Sequence, residues 1–263
     1  MKVGFIQFHV QFGDKQSNLN AVDRLMRQSR ADLWVLPELF NTGYIFTSRG
    51  ELENLAEPIP EGDTVQFLIG LAREQNTHIV AGIAEKHDDL FYNSAVLVNP
   101  NGVMGTYRKI HLFDREKNWF APGNLPFRVW DIGSAKVGLM ICFDWIFPEA
   151  ARTLALKGAE VICHPSNLVL PYCQNAMVTR CLENRIFAIT ANRIGTEQRG
   201  DTLLAFTGAS QITGTKGEIL YRASNDSEEA AIIEIDPLVA HDKWITSNNP
   251  IFDDRRPEMY ELR

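Results

Sequence analysis

The sequence predicts an α/β protein with a four-layer α-β-β-α sandwich fold. Apolar stretches with the pattern of strands alternate with amphipathic helical segments, and the strands outnumber the helices. Two sheets packed face to face, each covered on its outer side by helices, would bury this many short apolar strands in 263 residues. Because no linker-like stretch divides the chain, we expect a single domain over residues 1–263.

The first half of the chain opens with a β-α-β pattern. Strands are expected at residues 3–8, 33–36, 78–83, 94–98 and 103–107. Helices are expected at 18–30 and 64–75, where apolar side chains recur on one face. Asn101 and Gly102 form a dipeptide that is typical of a hairpin turn between the last two of these strands.

The second half repeats the alternation of strands and helices. Strands are expected at residues 136–141, 160–163, 187–190, 205–212, 219–221 and 230–235. Helices are expected at 148–157 and 172–185; Pro148 suits a first helical turn and Gly158 a helix end. The tail 237–263 is polar with isolated apolar anchors, and we expect it to pack over a surface or at a subunit interface.

The charge balance and the apolar runs argue against several classes of partner. With 26 Lys and Arg against 33 Asp and Glu, the formal net charge of −7 offers no general attraction to nucleic acids or anionic bilayers. The apolar runs are far shorter than the roughly 18 residues that a membrane span needs. The first residues enter a strand directly, without signal-peptide features. We therefore expect a cytoplasmic protein without nucleic-acid or membrane partners.

The four cysteines are too few for a disulfide framework in a chain of this length. None of their spacings gives a CxxC metal clip, so we expect reduced thiols and no metal site. Cys163 lies in an apolar run, and Cys173 and Cys181 lie in a helical stretch, which assigns these three to packing.

Glu38 is the first candidate for chemistry. It follows an apolar strand, Pro37 ends the strand pairing, and its neighbours are apolar, whereas a surface carboxylate usually lies among polar residues. Burial raises the pKa of a carboxylate towards the working pH of a general base or acid. The alternative is a loop carboxylate that only accepts hydrogen bonds from backbone amides.

Lys109 is the second candidate. If its strand continues, Lys109 shares a face with His111, and a lysine held in this way is a fixed positive charge that could meet an oxyanion. The alternative is a solvated face of basic residues. Glu116 follows seven residues later, in a charged cluster that carries no signal of its own.

Cys142 is the third candidate, at the end of the most apolar strand and six residues before Pro148. A strand-turn-helix entry exposes the side chain and aims backbone amides at it, and both effects favour a thiolate. The alternative is an inert buried cysteine. A base, a cation and a thiol at strand ends together indicate acyl transfer through a thioester. Metalloprotease, phosphate-loop and serine-hydrolase motifs are missing from the sequence, and Gly82 is a lone strand glycine.

Three segments of the sequence resemble the signature segments of the nitrilase superfamily of carbon-nitrogen hydrolases, and they occur in the same order. They are Pro-Glu-Leu at 37–39, Tyr-Arg-Lys-Ile-His-Leu at 107–112, and Gly-Leu-Met-Ile-Cys-Phe-Asp at 138–144. The likeness extends over nearly the whole chain, which suggests one carbon-nitrogen hydrolase domain. It is strongest to compact, single-domain, amidase-like members.

The resemblance implies a Glu-Lys-Cys triad formed by Glu38, Lys109 and Cys142, with Glu116 as an additional carboxylate near the lysine. It also implies the α-β-β-α sandwich, a thioester intermediate with release of ammonia, no cofactor, and a homodimer formed through the helices after the catalytic cysteine. Those helices correspond to 148–157 and 172–185.

The substrate class depends on pocket residues. Nitrilases generally carry Trp-Glu after the cysteine, whereas this chain has Phe143-Asp144, so we expect small linear amides. The segment 143–149 also resembles N-carbamoylputrescine amidohydrolases, which leaves N-carbamoyl amines and aliphatic nitriles as alternatives. Candidate pocket residues are the Phe143 backbone N–H and the side chains of Tyr44, Trp145 and Asn167, although each of these side chains could equally belong to the core.

Two other functions compete with this hypothesis. A catalytically silent scaffold of the same fold would be expected to lack part of the triad, which is complete here. A glutaminase module of a synthetase would need a fused or partner domain.

Overall fold

The computed structural model of the protein describes residues 1–260. Within them, two six-stranded sheets pack face to face and helices lie against their outer sides. The expected four-layer α-β-β-α sandwich is confirmed.

Fourteen strands lie within the described residues: β1 (Lys2–Gln7), β2 (Leu33–Val35), β3 (His78–His87), β4 (Leu90–Asn99), β5 (Gly102–Arg108), β6 (Val129–Asp131), β7 (Lys136–Leu139), β8 (Val161–Pro165), β9 (Phe187–Ala191), β10 (Thr196–Arg199), β11 (Thr202–Ala205), β12 (Gln211–Thr213), β13 (Ile219–Arg222) and β14 (Glu229–Glu234). The first sheet has the order β14-β1-β2-β3-β4-β5 and the second β13-β12-β9-β8-β7-β6, while β10 and β11 form a separate hairpin. The central strands β1-β2-β3 and β7-β8-β9 are parallel, so their carboxyl ends meet at one edge of each sheet.

Five α-helices lie in the same part of the chain: α1 (Lys15–Met26), α2 (Arg49–Leu55), α3 (Asp63–Gln75), α4 (Pro148–Leu156) and α5 (Cys173–Asn184). The apolar faces of α1 and α3 cover the first sheet, and those of α4 and α5 cover the second. Across residues 1–260, every helix falls short of the length and apolar character that crossing a bilayer would need.

The core between the sheets is formed by alternate side chains of the central strands. Gly138 faces Leu154 of α4, so its neighbours Val137 and Leu139 turn inward towards the first sheet. Cys163 of β8 and Cys173 and Cys181 of α5 are all 0% exposed in the hydrophobic cluster around the second sheet, which confirms their packing role.

The prediction of one strand over 205–212 is wrong. Residue 205 ends β11, and pairing with β9 starts only at Gln211. Gly208 and Ala209 between them have φ values of 56° and 51°, a left-handed conformation that a strand cannot contain. Short elements without a clear apolar period, namely α2, β6 and β10, escaped prediction altogether.

The described part of the tail returns over the carboxyl end of α5. The Lys243 ammonium donates to the backbone oxygens of Asn184 and Arg185 at 3.0 and 2.9 Å, and Arg185 donates to the Trp244 oxygen at 2.8 Å. The Lys243 ammonium thus provides hydrogen bonds to backbone carbonyls that the end of a helix leaves without partners. Burial lowers the pKa of Lys243 to about 8. Packing at a subunit interface stays a prediction, and residues 261–263 lie outside the described chain.

Two leucines of β4 test the core assignment. Leu97 is 0% exposed and Leu90 is 50% exposed. Leu97→Ala should lower the free energy of unfolding by about 2–5 kcal/mol because it leaves a cavity, whereas Leu90→Ala should change it by less than about 0.5 kcal/mol. Urea titration measures both, and equal losses would contradict the described layers.

Candidate active site

The predicted site residues meet at one edge of the sandwich. Glu38 follows β2, Lys109 directly follows β5, and Cys142 begins a 3-10 turn (Cys142–Ile146) after β7. Glu116 belongs to a second 3-10 turn, Asp114–Asn118. The side chains of Glu38 and Lys109 are 0% exposed and that of Glu116 is 3% exposed. The structure thus brings the three charged groups into one buried chamber, and Cys142 lies close enough for the charges of Glu38 and Lys109 to act on its thiol.

The Lys109 ammonium occupies the middle of this chamber. Its Nζ donates to Glu38 Oε1 and to Glu116 Oε1, both at 2.7 Å. Burial acts to lower the pKa of Lys109, but the charges of Glu116 and Glu38 outweigh it and the net shift is upward. The lysine therefore stays protonated. A lysine has three N–H donors, so one remains beyond these two carboxylates.

One carboxylate oxygen of Glu38 accepts hydrogen bonds, and the other has no hydrogen-bond partner within residues 1–260. Oε1 accepts from Lys109 and from Asn93 Nδ2, the latter at 2.7 Å. Oε2 is buried and accepts no hydrogen bond from any group within residues 1–260. A buried carboxylate oxygen without a hydrogen-bond partner is suited to take a proton. Sequence reasoning missed Asn93, whose only signal is a polar side chain inside the apolar strand β4.

Glu116 anchors the lysine from the other side. Its Oε1 also accepts from the Tyr44 hydroxyl at 2.6 Å, and its Oε2 accepts from the Phe113 N–H at 3.2 Å. Burial raises the pKa of Glu116 in spite of the opposing pull of Lys109. Burial and the nearby carboxylates likewise raise the pKa of the Tyr44 hydroxyl.

Cys142 has a strained backbone and a buried thiol. Its φ of 39° is left-handed, a conformation that costs a non-glycine residue about 1–3 kcal/mol. The thiol donates to the backbone oxygen of Asn167 at 3.7 Å. Burial and the charge of Glu38 raise the pKa of Cys142, and Lys109 opposes them without prevailing. The expectation of a favoured thiolate is therefore wrong for the resting site.

His164 supports the Cys142 turn through a hydrogen bond to the Cys142 backbone. Its Nε2–H donates to the Cys142 carbonyl at 2.9 Å, and its Nδ1 lies 3.1 Å from the Thr190 hydroxyl. The side chain is fully buried, and this burial lowers the pKa of His164 to about 4. A neutral imidazole therefore holds the carbonyl of the candidate nucleophile.

Two glycines let the backbone close around the site. A Cβ at Gly82 would lie 2.4 Å from the Glu38 Cα, and one at Gly123 would lie 2.1 Å from the Arg108 oxygen. Gly123 also donates its N–H to the Lys109 oxygen at 2.8 Å. Neither site has room for a side chain, so these glycines set the positions of Glu38 and Lys109. In the sequence, Gly82 gave no functional signal.

The candidate pocket residues fall into two adjoining hollows that share Phe113. The first is lined by Tyr44, Glu116, Trp119, Thr202 and Leu204, among others, and the second by Cys142, Phe143, Trp145, Asn167 and Leu168, among others. Both polar atoms of the Asn167 side chain are buried without a hydrogen-bond partner within residues 1–260. The four predicted pocket residues therefore all lie in these hollows.

A buried ion pair that the sequence did not reveal holds the Tyr44 loop. Glu197 accepts the backbone N–H groups of Tyr44 and Ile45, at 3.1 and 2.5 Å, and pairs with Arg193 at 2.8 Å. The Arg193 guanidinium lies 4.0 Å from the ring centre of Phe206. The hairpin region thus fixes one wall of the pocket.

The fold and this chamber define a class of protein: an α-β-β-α enzyme with a thiol, an ammonium and two carboxylates at one edge of paired sheets. The model of the carbon-nitrogen hydrolase family matches residues 2–242. The chain belongs to this family and is an enzyme of the nitrilase superfamily, which confirms the resemblance of the three sequence segments.

Individual relatives agree with this assignment. The chain is 51% identical to a nitrilase of Pyrococcus abyssi, over 99% of both chains. It is 36% identical to an (R)-stereoselective amidase of Pseudomonas sp, over 90% of this chain and 85% of that one. Among solved structures, a carbon-nitrogen hydrolase from Helicobacter pylori G27 matches with a TM-score of 0.85 at 28% identity, over 99% of this chain and 96% of that chain.

Gly82→Ala tests the close approach to Glu38. The added Cβ must push the Glu38 backbone away, and a displacement near 1 Å can cost about 100-fold in rate, so we expect a large fall in kcat for carbon–nitrogen bond hydrolysis. The control is Gly70→Ala, because a Cβ at Gly70 meets no atom within 4 Å and replacing a helical glycine stabilises by about 0.5–1 kcal/mol. Similar kcat values for both variants would contradict this role of Gly82.

The depressed pKa of His164 predicts acid sensitivity. Between a pKa near 6.5 in the unfolded chain and about 4 in the folded one, the unfolded state binds the extra proton, so stability falls as the pH is lowered. Urea unfolding at several pH values should show a slope up to about 1.4 kcal/mol per pH unit steeper in the wild type than in His164→Gln. Equal slopes would show that His164 makes no such contribution.

Proposed function

We propose that the protein hydrolyses the non-peptide carbon–nitrogen bond of small linear amides through a thioester on Cys142, with release of ammonia. The observation that supports this most directly is the Lys109 ammonium held between two carboxylates, with Glu38 Oε2 left open. A base, a fixed cation and a thiol in one buried chamber are the groups that nucleophilic acyl transfer requires.

Acylation begins with the thiol proton. Glu38 takes it as the Cys142 sulfur attacks the carbonyl carbon of the amide, which forms a tetrahedral intermediate with a negatively charged oxygen. When the carbon–nitrogen bond breaks, Glu38 returns the proton to the leaving nitrogen. Ammonia departs and the acyl group remains on Cys142 as a thioester.

The oxyanion needs donors that are already in place. Lys109 has an N–H beyond its two carboxylate partners, and the Phe143 backbone N–H follows the nucleophile directly. Losing one oxyanion donor typically costs roughly 2.7–4 kcal/mol of transition-state stabilisation. Glu116 orients the lysine for this role, because its Oε1 accepts from Lys109 Nζ and is itself held by the Tyr44 hydroxyl.

Deacylation uses the same base. Glu38, again a carboxylate, removes a proton from water, and the resulting hydroxide attacks the thioester carbon. The thioester bond breaks, Cys142 regains its proton, and the carboxylic acid product leaves. No cofactor is needed for either half of the reaction.

We favour amides as substrates on two grounds. Phe143-Asp144 follows the cysteine, and the hollows around Tyr44 and Trp145 have an aromatic lining. Asn167 could bind a polar group of the substrate with its two unpaired side-chain atoms. N-carbamoyl amines are the first alternative, because the segment 143–149 resembles that of N-carbamoylputrescine amidohydrolases. Aliphatic nitriles are the second, because a relative that is 51% identical is named a nitrilase.

We further propose a cytoplasmic homodimer of one carbon-nitrogen hydrolase domain, with α4, α5 and the tail 237–263 at its interface. Ile146 and Leu182, next to and within these helices, are each 43% exposed in the single chain. Contact with a second copy would remove such apolar surface from water.

Cys142→Ala tests the nucleophile. It should reduce ammonia release to background over a panel of short aliphatic amides, glutamine analogues, N-carbamoyl amines and nitriles, while its thermal unfolding stays that of a folded protein. Mass spectrometry of the wild type with a slow amide should place an acyl group on Cys142.

The matched control is Cys163→Ala, a fully buried cysteine of β8 whose thiol has no part in the proposed chemistry. It should lower the melting temperature and keep the rate of ammonia release. An active Cys142→Ala enzyme would refute the mechanism. Release of ammonia from nitriles alone would refute the amide preference and leave the cysteine chemistry intact.

A further inference from the structure

Asp144 lies at the point where the Lys109 segment meets the Cys142 turn. It is 0% exposed and stands two residues after Cys142. Its partners across the site are Tyr107 and His111, which stand two residues before and two residues after Lys109. One carboxylate therefore contacts both sides of the segment that carries the candidate cation.

The two oxygens of the Asp144 carboxylate have different hydrogen-bond partners. Oδ2 accepts from the Tyr107 hydroxyl and from the Ile141 N–H, both at 2.8 Å. Oδ1 lies 2.7 Å from His111 Nδ1, which must be the protonated nitrogen because a carboxylate only accepts. These bonds tie the Cys142 turn to the Lys109 segment directly.

Further contacts fix the two donors. The Tyr107 hydroxyl accepts from the Ile110 N–H at 3.2 Å, and the Tyr107 side chain is 1% exposed. The His111 ring stacks on Phe147 with 3.8 Å between ring centres and an angle of 16°. Because Phe147 directly precedes α4, the His111 ring is held by the same segment that carries Cys142.

We propose that Asp144 is a positioning residue that sets the distance between the Cys142 thiol and the Lys109–Glu38 pair, through Tyr107 and His111. The inference rests on the proposed function, since it concerns the same nucleophile. Its physical basis is the strained backbone of Cys142, which persists only where neighbouring groups hold it. A shift near 1 Å at such a site can reduce a rate about 100-fold.

Alkylation by iodoacetamide measures the position of the nucleophile without a natural substrate. Peptide mass spectrometry gives a separate rate constant for each of the four cysteines. Cys163, Cys173 and Cys181 are 0% exposed, so their rates report unfolding. Cys142 is 5% exposed and lines the second hollow, so its rate reports how well the site activates its thiol. Tyr107→Phe should slow Cys142 at least about tenfold and leave the other three unreactive.

The control for Tyr107→Phe is Tyr221→Phe. Tyr221 also donates its hydroxyl to a carboxylate, Glu229, but at an exposed position outside the site. Its loss should leave the Cys142 rate unchanged. A Cys142 rate in Tyr107→Phe within threefold of wild type overturns the inference, and so does a parallel rise at all four cysteines, which would indicate a purely structural role.

Two replacements of Asp144 distinguish an effect of its hydrogen bonds from an effect of its negative charge. Asp144→Ala removes the bridge and should slow Cys142 at least about tenfold. Asp144→Asn should recover most of that loss, because its oxygen can accept from Tyr107 and Ile141 while a neutral His111 moves its proton to Nε2 and accepts from the amide. An Asn variant as slow as the Ala variant overturns positioning in favour of an effect of charge.

The alkylation rate of Cys142 in the wild type distinguishes a failure of this inference from a failure of the proposed function. If wild-type Cys142 reacts no faster than Cys163, the proposed nucleophile and the inference both fail. If wild-type Cys142 reacts fast and the Tyr107 and Asp144 variants match it, only the inference fails.

Discussion

The buried ammonium of Lys109 is the interaction on which the chamber depends. A charge removed from water is tolerated only when it is paired and hydrogen-bonded, and Lys109 achieves this with Glu38 and Glu116. Each carboxylate is in turn held by another donor, Asn93 for Glu38 and Tyr44 for Glu116. Removing any one member would leave a buried charge without its partner, so the set has to be assembled as a unit.

Paired sheets explain how groups so distant in sequence reach this arrangement. Glu38 and Lys109 leave strands of the first sheet, and Cys142 leaves a strand of the second, all at the same edge. The backbone there is packed so closely that Gly82 and Gly123 have no room for a Cβ. The precision of the site therefore comes from the rigid strands and from the small residues behind them, which fix the turns that carry Glu38, Lys109 and Cys142.

The sequence predicted the sandwich and pointed to Glu38, Lys109 and Cys142 as candidates because these signals are local. Apolar alternation marks β1 or β7 without knowledge of their partners, and Glu38, Lys109 and Cys142 each stand in a recognisable segment. Long-range contacts leave no such pattern. Asn93 and the Glu197 ion pair are visible only once the chain is folded, and the thiolate expectation failed because the sequence showed the helix entry but neither the burial of Cys142 nor the carboxylates beside it.

A protonated Cys142 is consistent with the proposed reaction when the charges are followed through acylation. The resting chamber holds two carboxylates, one ammonium and a neutral thiol, a sum of −1. After the thiol proton moves to Glu38 and the sulfur attacks, the chamber holds one carboxylate, one ammonium and the oxyanion, again −1. The reaction therefore moves negative charge towards Lys109 without adding any to a buried site, where an additional charge is most costly. A resting thiolate beside an ionised Glu38 would instead raise the sum to −2 before any substrate arrived, and the raised pKa of Cys142 avoids that state.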